Sequence, residues 1–417
     1  MKRERAERST IGRAIQKTIL VAALAMAWTG LVAGAGQADV GATGPRVVAY
    51  YQARARNTYP CTQVDYSQMT HLAHSFVWPT KEGALDMSSD FVYPELVQAA
   101  HAHGVKIIVS VGGGSKSGNF AAMANDTAAR TRFVRQLTSF CLSNHYDGAD
   151  IDWETPTNAT QSADFTLLVH ELRAAFNAAD PPLTTLSAAV PKSPKRAKWL
   201  DIDAIKNDLD WLGVMGYAWH GPWSKHAGHN APLYGSTEDP DGPSYCTDAS
   251  IQYYLSRQVP KEKLLFGIPL YARQFNATNL YASSTGGDWI PYAKVQQDLS
   301  SGWIRIWDNT AKVPYLMNPK HTEFVTYDDP QSIQDKCEYV AHHSLGGVIL
   351  WSLGQDLYQG KTPLLDVVGS NLLGRTNVVK KLTNAATDGD KTGYVYRAYR
   401  HLNDNAVAAQ TREEWVR

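Results

Sequence analysis

The sequence has no excess of charge of either sign: 40 Lys and Arg balance 40 Asp and Glu across 417 residues. Without a basic footprint, neither nucleic acid nor an anionic membrane is expected as a partner. Cysteine is scarce as well. The four present, Cys61, Cys141, Cys246 and Cys337, lack the short spacings of a metal site. In an exported chain they allow up to two disulfides in three pairings, and the pairing stays open. Beyond the N-terminus no apolar run is long enough to cross a membrane.

What is present begins with an export signal. Residues 1–17 carry six basic and two acidic side chains, and residues 18–32 are apolar and uncharged. Ala33-Gly34-Ala35 and Gly36-Gln37-Ala38 then offer two cleavage sites, so residues 1–35 read as a signal peptide, with 38 as the other end point. The mature protein is expected to be secreted, extracellular or periplasmic, and free of the membrane. Aromatics are abundant, with 12 Trp and 21 Tyr. Most belong in a core, but flat amphipathic rings also suit a cleft that stacks on the C–H faces of sugars.

The stretch HYDGADIDWE, His145 to Glu154, concentrates four carboxylates among apolar residues. On a strand, side chains alternate between faces, which puts Asp150, Asp152 and Glu154 on one face and Ala149, Ile151 and Trp153 on the other. Neighbours in that row sit roughly 6.7 Å apart. At an effective dielectric near 20, two ionised neighbours repel by about 2.5 kcal/mol. At least one pKa must rise, which is how a protein keeps a carboxylic acid protonated as a donor near neutral pH. A calcium loop needs a flexible Gly-containing turn with a distal Glu, which a period-two row does not supply. Neither metal nor cofactor is expected.

Strand-like runs at Val47–Tyr51, Leu72–Phe76, Lys106–Val111, Gly148–Asp152, Thr185–Ala189, Trp211–Met215, Leu264–Leu270 and Gly347–Trp351 alternate with helical patterns. The clearest helices are Tyr93–His103, Thr127–Asn144, Asp164–Ala178 and Ser332–His343. Eight strand-helix units predict an α/β fold, a (β/α)8 TIM barrel, with the acidic row reaching the carboxyl end of strand four, the catalytic face of such barrels. The connection after strand seven is too long for a simple crossover. It predicts a small α+β insertion domain at about residues 272–325, between strand seven and its helix, within a barrel of residues 39–374. Residues 375–417 form a polar C-terminal extension of unassigned role.

These motifs resemble glycoside hydrolase family 18, the chitinases. DGADIDWE matches D-G-x-D-x-D-x-E, and Ser110-Val111-Gly112-Gly113 matches S-x-G-G. LSAAVP from Leu186, Met215-Gly216-Tyr217, GHNAPLY from Gly228, Tyr271-Ala272-Arg273 and GGVILW ending at Trp351 follow in family order. The insertion, with VPY at Val313 and FVTYDD from Phe324, resembles that of the larger, deep-cleft members. The resemblance implies hydrolysis of β-1,4-linked N-acetylglucosamine chains with retention, the 2-acetamido group of the substrate acting as nucleophile. It implies Glu154 as acid and then base, Asp152 as the group that orients the acetamido N–H, Asp150 as a partner holding a shared proton, and Tyr217 as donor to the acetamido oxygen. Trp351 would floor the reacting sugar. Tyr50, Phe76, Met215, Trp223, Tyr271 and Arg273 would line the cleft. Asp147, Ser110, Gly112 and Gly113 take structural roles, Asp147 at the start of the strand and the small residues beside the acidic row. The partner implied is chitin or a chito-oligosaccharide, bound by a monomer.

Three departures qualify the resemblance. Ala218 stands where the family continues M-x-Y with Asp, and Gly114 and Arg54 stand where many members have Trp. Two stacking platforms and one carboxylate are lost. Soluble or partly deacetylated oligomers become more attractive than crystalline polymer. An endo-β-N-acetylglucosaminidase acting on glycans or peptidoglycan, and a chitin-binding lectin on the same barrel, are the alternatives.

Overall fold

The apolar runs form eight parallel strands: β1 (Arg46–Gln52), β2 (His71–Pro79), β3 (Lys106–Gly112), β4 (Gly148–Asp152), β5 (Thr185–Val190), β6 (Trp211–Val214), β7 (Leu264–Pro269) and β8 (Gly347–Trp351). Each pairs with the next, and β1 pairs with both β2 and β8, which closes the ring. The computed structural model describes residues 44–374. The expected signal peptide and C-terminal extension lie outside the described residues.

Closure explains why the strands read as continuous apolar runs, since one face lines the barrel and the other meets the helices. Along β1, Val48 and Tyr50 join an interior cluster with Ala73, Ile108, Trp211, Leu265 and Ile349. Val47, Ala49 and Tyr51 pack into the outer layer instead. The period of two is visible residue by residue.

The outer helices include Pro94–Ala102, Thr127–Ser143, Ala159–Ala178 and Pro330–His342. The third starts at Ala159 rather than at Asp164. Its polar first turn hides from apolar periodicity, and Asn158 caps it by accepting the Gln161 N–H at 3.0 Å. Among the described residues no helix is long and apolar enough to cross a membrane.

After β7 the chain leaves the barrel at once, and Tyr271–Asn276 opens a five-stranded antiparallel sheet. Its order is Thr285–Pro291, Tyr271–Asn276, Glu323–Thr326, Val313–Met317, Ile304–Asp308, with helix Tyr292–Ser300 between two of the strands. The disulfides that the sequence allows do not form. All four cysteines are buried free thiols. They sit in separate elements: Cys61 in a short helical turn, Cys141 and Cys337 inside long helices, and Cys246 just before helix Thr247–Ser256.

Candidate active site

Strand register assembles the inner end of the acidic row. Ser110, Asp150 and Ser187 are neighbours on β3, β4 and β5, and all three turn into the barrel. Asp150 Oδ2 accepts from Ser110 Oγ at 2.9 Å and from the Tyr50 hydroxyl at 2.8 Å, while Oδ1 accepts from Ser187 Oγ at 2.7 Å. Burial pushes the Asp150 pKa up, and the three hydroxyls pull it part of the way back.

Asp152 has no such company. Its Oδ1 is buried without a hydrogen-bond partner. Burial raises its pKa well above the carboxylate range, and Glu154 and Asp150 add like-charge repulsion. The residue in register beside it is Gly112, at φ +111°, where a Cβ would lie 2.3 Å from the Asp152 carbonyl oxygen. At Gly113 a Cβ would strike the Phe76 ring at 2.6 Å. Gly112 is required by close approach to the row and Gly113 by close approach to the Phe76 ring.

Glu154 lies beyond the end of β4, not on it. Trp153 anchors the exit by stacking on Phe120 at 5.2 Å, and the Glu154 N–H donates to Ser117 Oγ at 3.0 Å. The side chain is open to the cleft, so what raises its pKa is the thinned solvent of a cleft floor rather than a core. Lys192, Arg196 and the Gly114 N–H act against that rise. The Lys192 ammonium is itself pushed down to about 8 by burial, with Glu154 supporting its charge and Arg196 and Arg273 opposing it.

Aromatics surround the row. Trp351 meets Tyr50 edge-on at 5.6 Å and stacks on Phe76 at 5.5 Å, with Met215 packed against the same interior cluster. Tyr217 sets its ring edge-on to Tyr271 at 6.4 Å. Burial, then Asp152, raises the Tyr217 pKa well above 10, which keeps the hydroxyl protonated as a donor. Arg273 donates to the Gly287 carbonyl at 2.8 Å and lies 4.9 Å from the Trp223 ring and 5.5 Å from that of Tyr271. Trp223 is 60% exposed.

The structure therefore brings Asp150, Asp152, Glu154, Tyr217, Trp351, Tyr50, Phe76, Met215, Tyr271, Ser110, Gly112 and Gly113 to one end of the barrel interior. Asp147 stands apart at the opposite end of β4, where Oδ2 accepts the Ile107 N–H at 2.7 Å and meets His101 Nε2 at 2.9 Å. Sequence reasoning missed Ser187, Ser117, Lys192, Arg196 and Asn230. Ser187 was within reach, because alternation along LSAAVP puts it on the inward face. Nothing periodic marks the others. Asn230 accepts the Ala218 N–H at 3.2 Å and donates to the Tyr271 carbonyl at 3.4 Å. Among the described residues, the one group of potential metal ligands lies outside this site, in the loops after β6.

A closed parallel barrel that presents a carboxylate row and an aromatic floor at its strand ends is the arrangement of a glycoside-cleaving enzyme. The chain belongs to the family of glycosyl hydrolases family 18, whose sequence model matches residues 46–356. It is 31% identical over 257 residues to Chitinase 1 of Aphanocladium album, an alignment covering 59% of this chain and 61% of that protein. The chain thus spans less than two thirds of that relative's length. The crystal structure of the Ostrinia furnacalis Group IV chitinase superposes with a TM-score of 0.72 at 28% identity, covering 79% of this chain and 100% of that one. A family 18 chitinase from Cycas revoluta, solved in complex with (GlcNAc)3, superposes with a TM-score of 0.70 at 25% identity, covering 78% and 99%.

Proposed function

We propose that the protein is an exported, monomeric chitinase that cleaves β-1,4-linked N-acetylglucosamine chains with retention, through the acetamido group of the substrate. The observation that carries this reading is Asp152 Oδ1, buried and unpartnered between a hydroxyl-satisfied Asp150 and a cleft-facing Glu154. A buried acceptor without a donor is costly. An acetamido N–H supplies the missing donor.

In the resting row the shared proton resides on Asp152, because Asp150 already accepts from three hydroxyls. When substrate binds, Asp152 passes this proton to Asp150, and the Asp152 carboxylate accepts the acetamido N–H while the acetamido carbonyl oxygen accepts from Tyr217. That carbonyl oxygen attacks the anomeric carbon as Glu154 gives its proton to the leaving glycosidic oxygen. A cyclic oxazolinium results, flanked by carboxylate charge. Water then adds at the anomeric carbon from the face the leaving group vacated, with Glu154 taking the water's proton, and the configuration is restored. Trp351, with Phe76 stacked against it, gives the sugar an apolar floor. The Cycas revoluta chitinase, solved with (GlcNAc)3, supports the substrate class. The intact Glu154 favours catalysis over simple binding.

The test is a product assay on a soluble chito-oligosaccharide with wild type and Glu154→Gln, together with product sequencing on partly acetylated chitosan. Wild type should release products about 10²–10⁴-fold faster than the variant. Every new reducing end should be acetylated, since a free amine has no carbonyl oxygen to attack with. Wild type that binds the oligomer yet turns over no faster than Glu154→Gln would be a lectin. Frequent glucosamine at new reducing ends would rule out the acetamido nucleophile. Cleavage of a high-mannose glycopeptide alone would move the substrate class to glycans.

A further inference from the structure

His220 and His226 lie on the loop that leaves β6, and Asp239 and Asp241 on the segment that follows it. Each turns one ligand atom toward a common centre. The two Nε2 atoms are 3.2 Å apart. From His220 Nε2 it is 3.5 Å to both Asp239 Oδ1 and Asp241 Oδ2, and from His226 Nε2 it is 3.4 Å and 3.5 Å to the same oxygens. A tetrahedron with metal-ligand bonds of about 2.0–2.2 Å has edges of about 3.3–3.6 Å. Four of the six edges here fall in that range, and the edge between the two Nε2 atoms lies just below it.

A second observation is independent of those distances. His220 Nδ1 lies 2.9 Å from the His229 carbonyl oxygen, which can only accept, so Nδ1 carries a proton. In the neutral ring the Nε2 lone pair therefore faces the centre, as a hydrogen bond from the other ring nitrogen arranges for metal-binding histidines. The ring is fully buried, packed on Tyr245 at 5.1 Å. It also closes over Gly228, where a Cβ would fall 2.4 Å from the imidazole. The His229 ring is held in turn by Asp308 of the insertion at 2.9 Å.

The geometry points to a structural Zn²⁺ site made of His220, His226, Asp239 and Asp241. Two imidazoles and two carboxylates at tetrahedral spacing suit zinc. Calcium takes six to eight oxygens, and magnesium wants an octahedron of oxygens. Four protein ligands leave no open position for catalysis, so the ion is a staple. The loop it closes carries Trp223 between the two histidines, beside Arg273 at the cleft wall. Zinc thus fixes the loop that presents an exposed aromatic ring to substrate. This inference does not rest on the proposed reaction.

The experiment uses the chain expressed without a polyhistidine tag, loaded with Zn²⁺ and then dialysed. Atomic emission should find one zinc per chain, and thermal melting should rise with Zn²⁺ and fall back with a chelator. Co²⁺ in its place should give the intense visible bands of tetrahedral cobalt. His226→Ala and Asp239→Asn should each weaken zinc binding at least 10-fold. A melting temperature indifferent to both Zn²⁺ and chelator assigns the centre to a shared proton and overturns the proposal. Undiminished zinc in a folded His226→Ala overturns it too. Should that variant not fold, weak octahedral cobalt bands in the wild type have the same force.

Discussion

The two ends of the acidic row use one residue type in opposite surroundings. At the inner end, Asp150 is buried and satisfied by three neutral hydroxyls brought from β1, β3 and β5. At the outer end, Glu154 is open to the cleft and faces Lys192 and Arg196. Hydroxyls make an ionised carboxylate tolerable without adding net charge, whereas cations lower a proton affinity that the cleft raises. Asp152 stands between them with neither kind of help on Oδ1. The contrast shows that proton affinity along the row is set by what faces each carboxylate, since the three lie on one short segment.

The largest expected effect comes from replacing the middle member's carboxyl group. Asp152→Asn should lower kcat about 10²–10³-fold, the usual loss when one preorganised electrostatic partner of a transition state is removed. Stability should move the other way. A carboxyl whose folded pKa lies above its unfolded value favours the fold most below the unfolded pKa, and that advantage is lost as pH rises through the folded value. Asn cannot ionise, so the melting temperature of the variant relative to wild type should improve as pH is raised from 4 to 8. A relative melting temperature that falls over that range would show that ionised Asp152 holds the barrel together.

A smaller effect is expected at the outer end. Lys192→Met takes away a cation that lowers the Glu154 pKa, so the alkaline limb of kcat/KM against pH should move to higher pH. Lys192→Arg should leave the limb in place. Equal profiles for wild type and Lys192→Met would mean that Arg196 and the Gly114 N–H account for the whole effect.

The smallest shift belongs to Ala218→Asp. Residue 218 has φ +56°, a conformation Asp adopts more readily than Ala, and its N–H already donates to Asn230. Trp219 next to it is buried against Tyr245 at 4.7 Å. An added carboxylate there should push the Glu154 pKa up and move the alkaline limb the same way as Lys192→Met, by less while Lys192 remains. An unmoved or lowered limb in a folded variant would show that residue 218 is not coupled to Glu154.

Much of this was legible in the chain. Each of the eight strands was placed within a few residues, because a strand buried on both faces is written as a largely apolar run, broken in β4 by the alternating carboxylates of the acidic row. The spacing of Asp150 and Asp152 gave their shared face for the same reason. Helix Ala159–Ala178 was trimmed because its first turn is polar and depends on the Asn158 cap rather than on periodicity. Glu154 was read as the third rung of the strand, yet the strand ends at Asp152. Ser117, far off in sequence, receives its N–H.

Local periodicity by itself determined the barrel, its carboxyl-end site and the identity of the acidic row, since each rests on alternation within a few consecutive residues. Only the tertiary structure decided that Lys192 and Arg196 face Glu154, that Asp152 Oδ1 lacks a donor, that four cysteines remain apart, and that two histidines and two aspartates meet after β6. The physical reason is that charge and metal-ligand interactions act through space over a few ångströms, between side chains whose separation along the chain follows no period. A linear pattern records which face a residue occupies, and only closure of the barrel and its loops brings those faces within reach of one another.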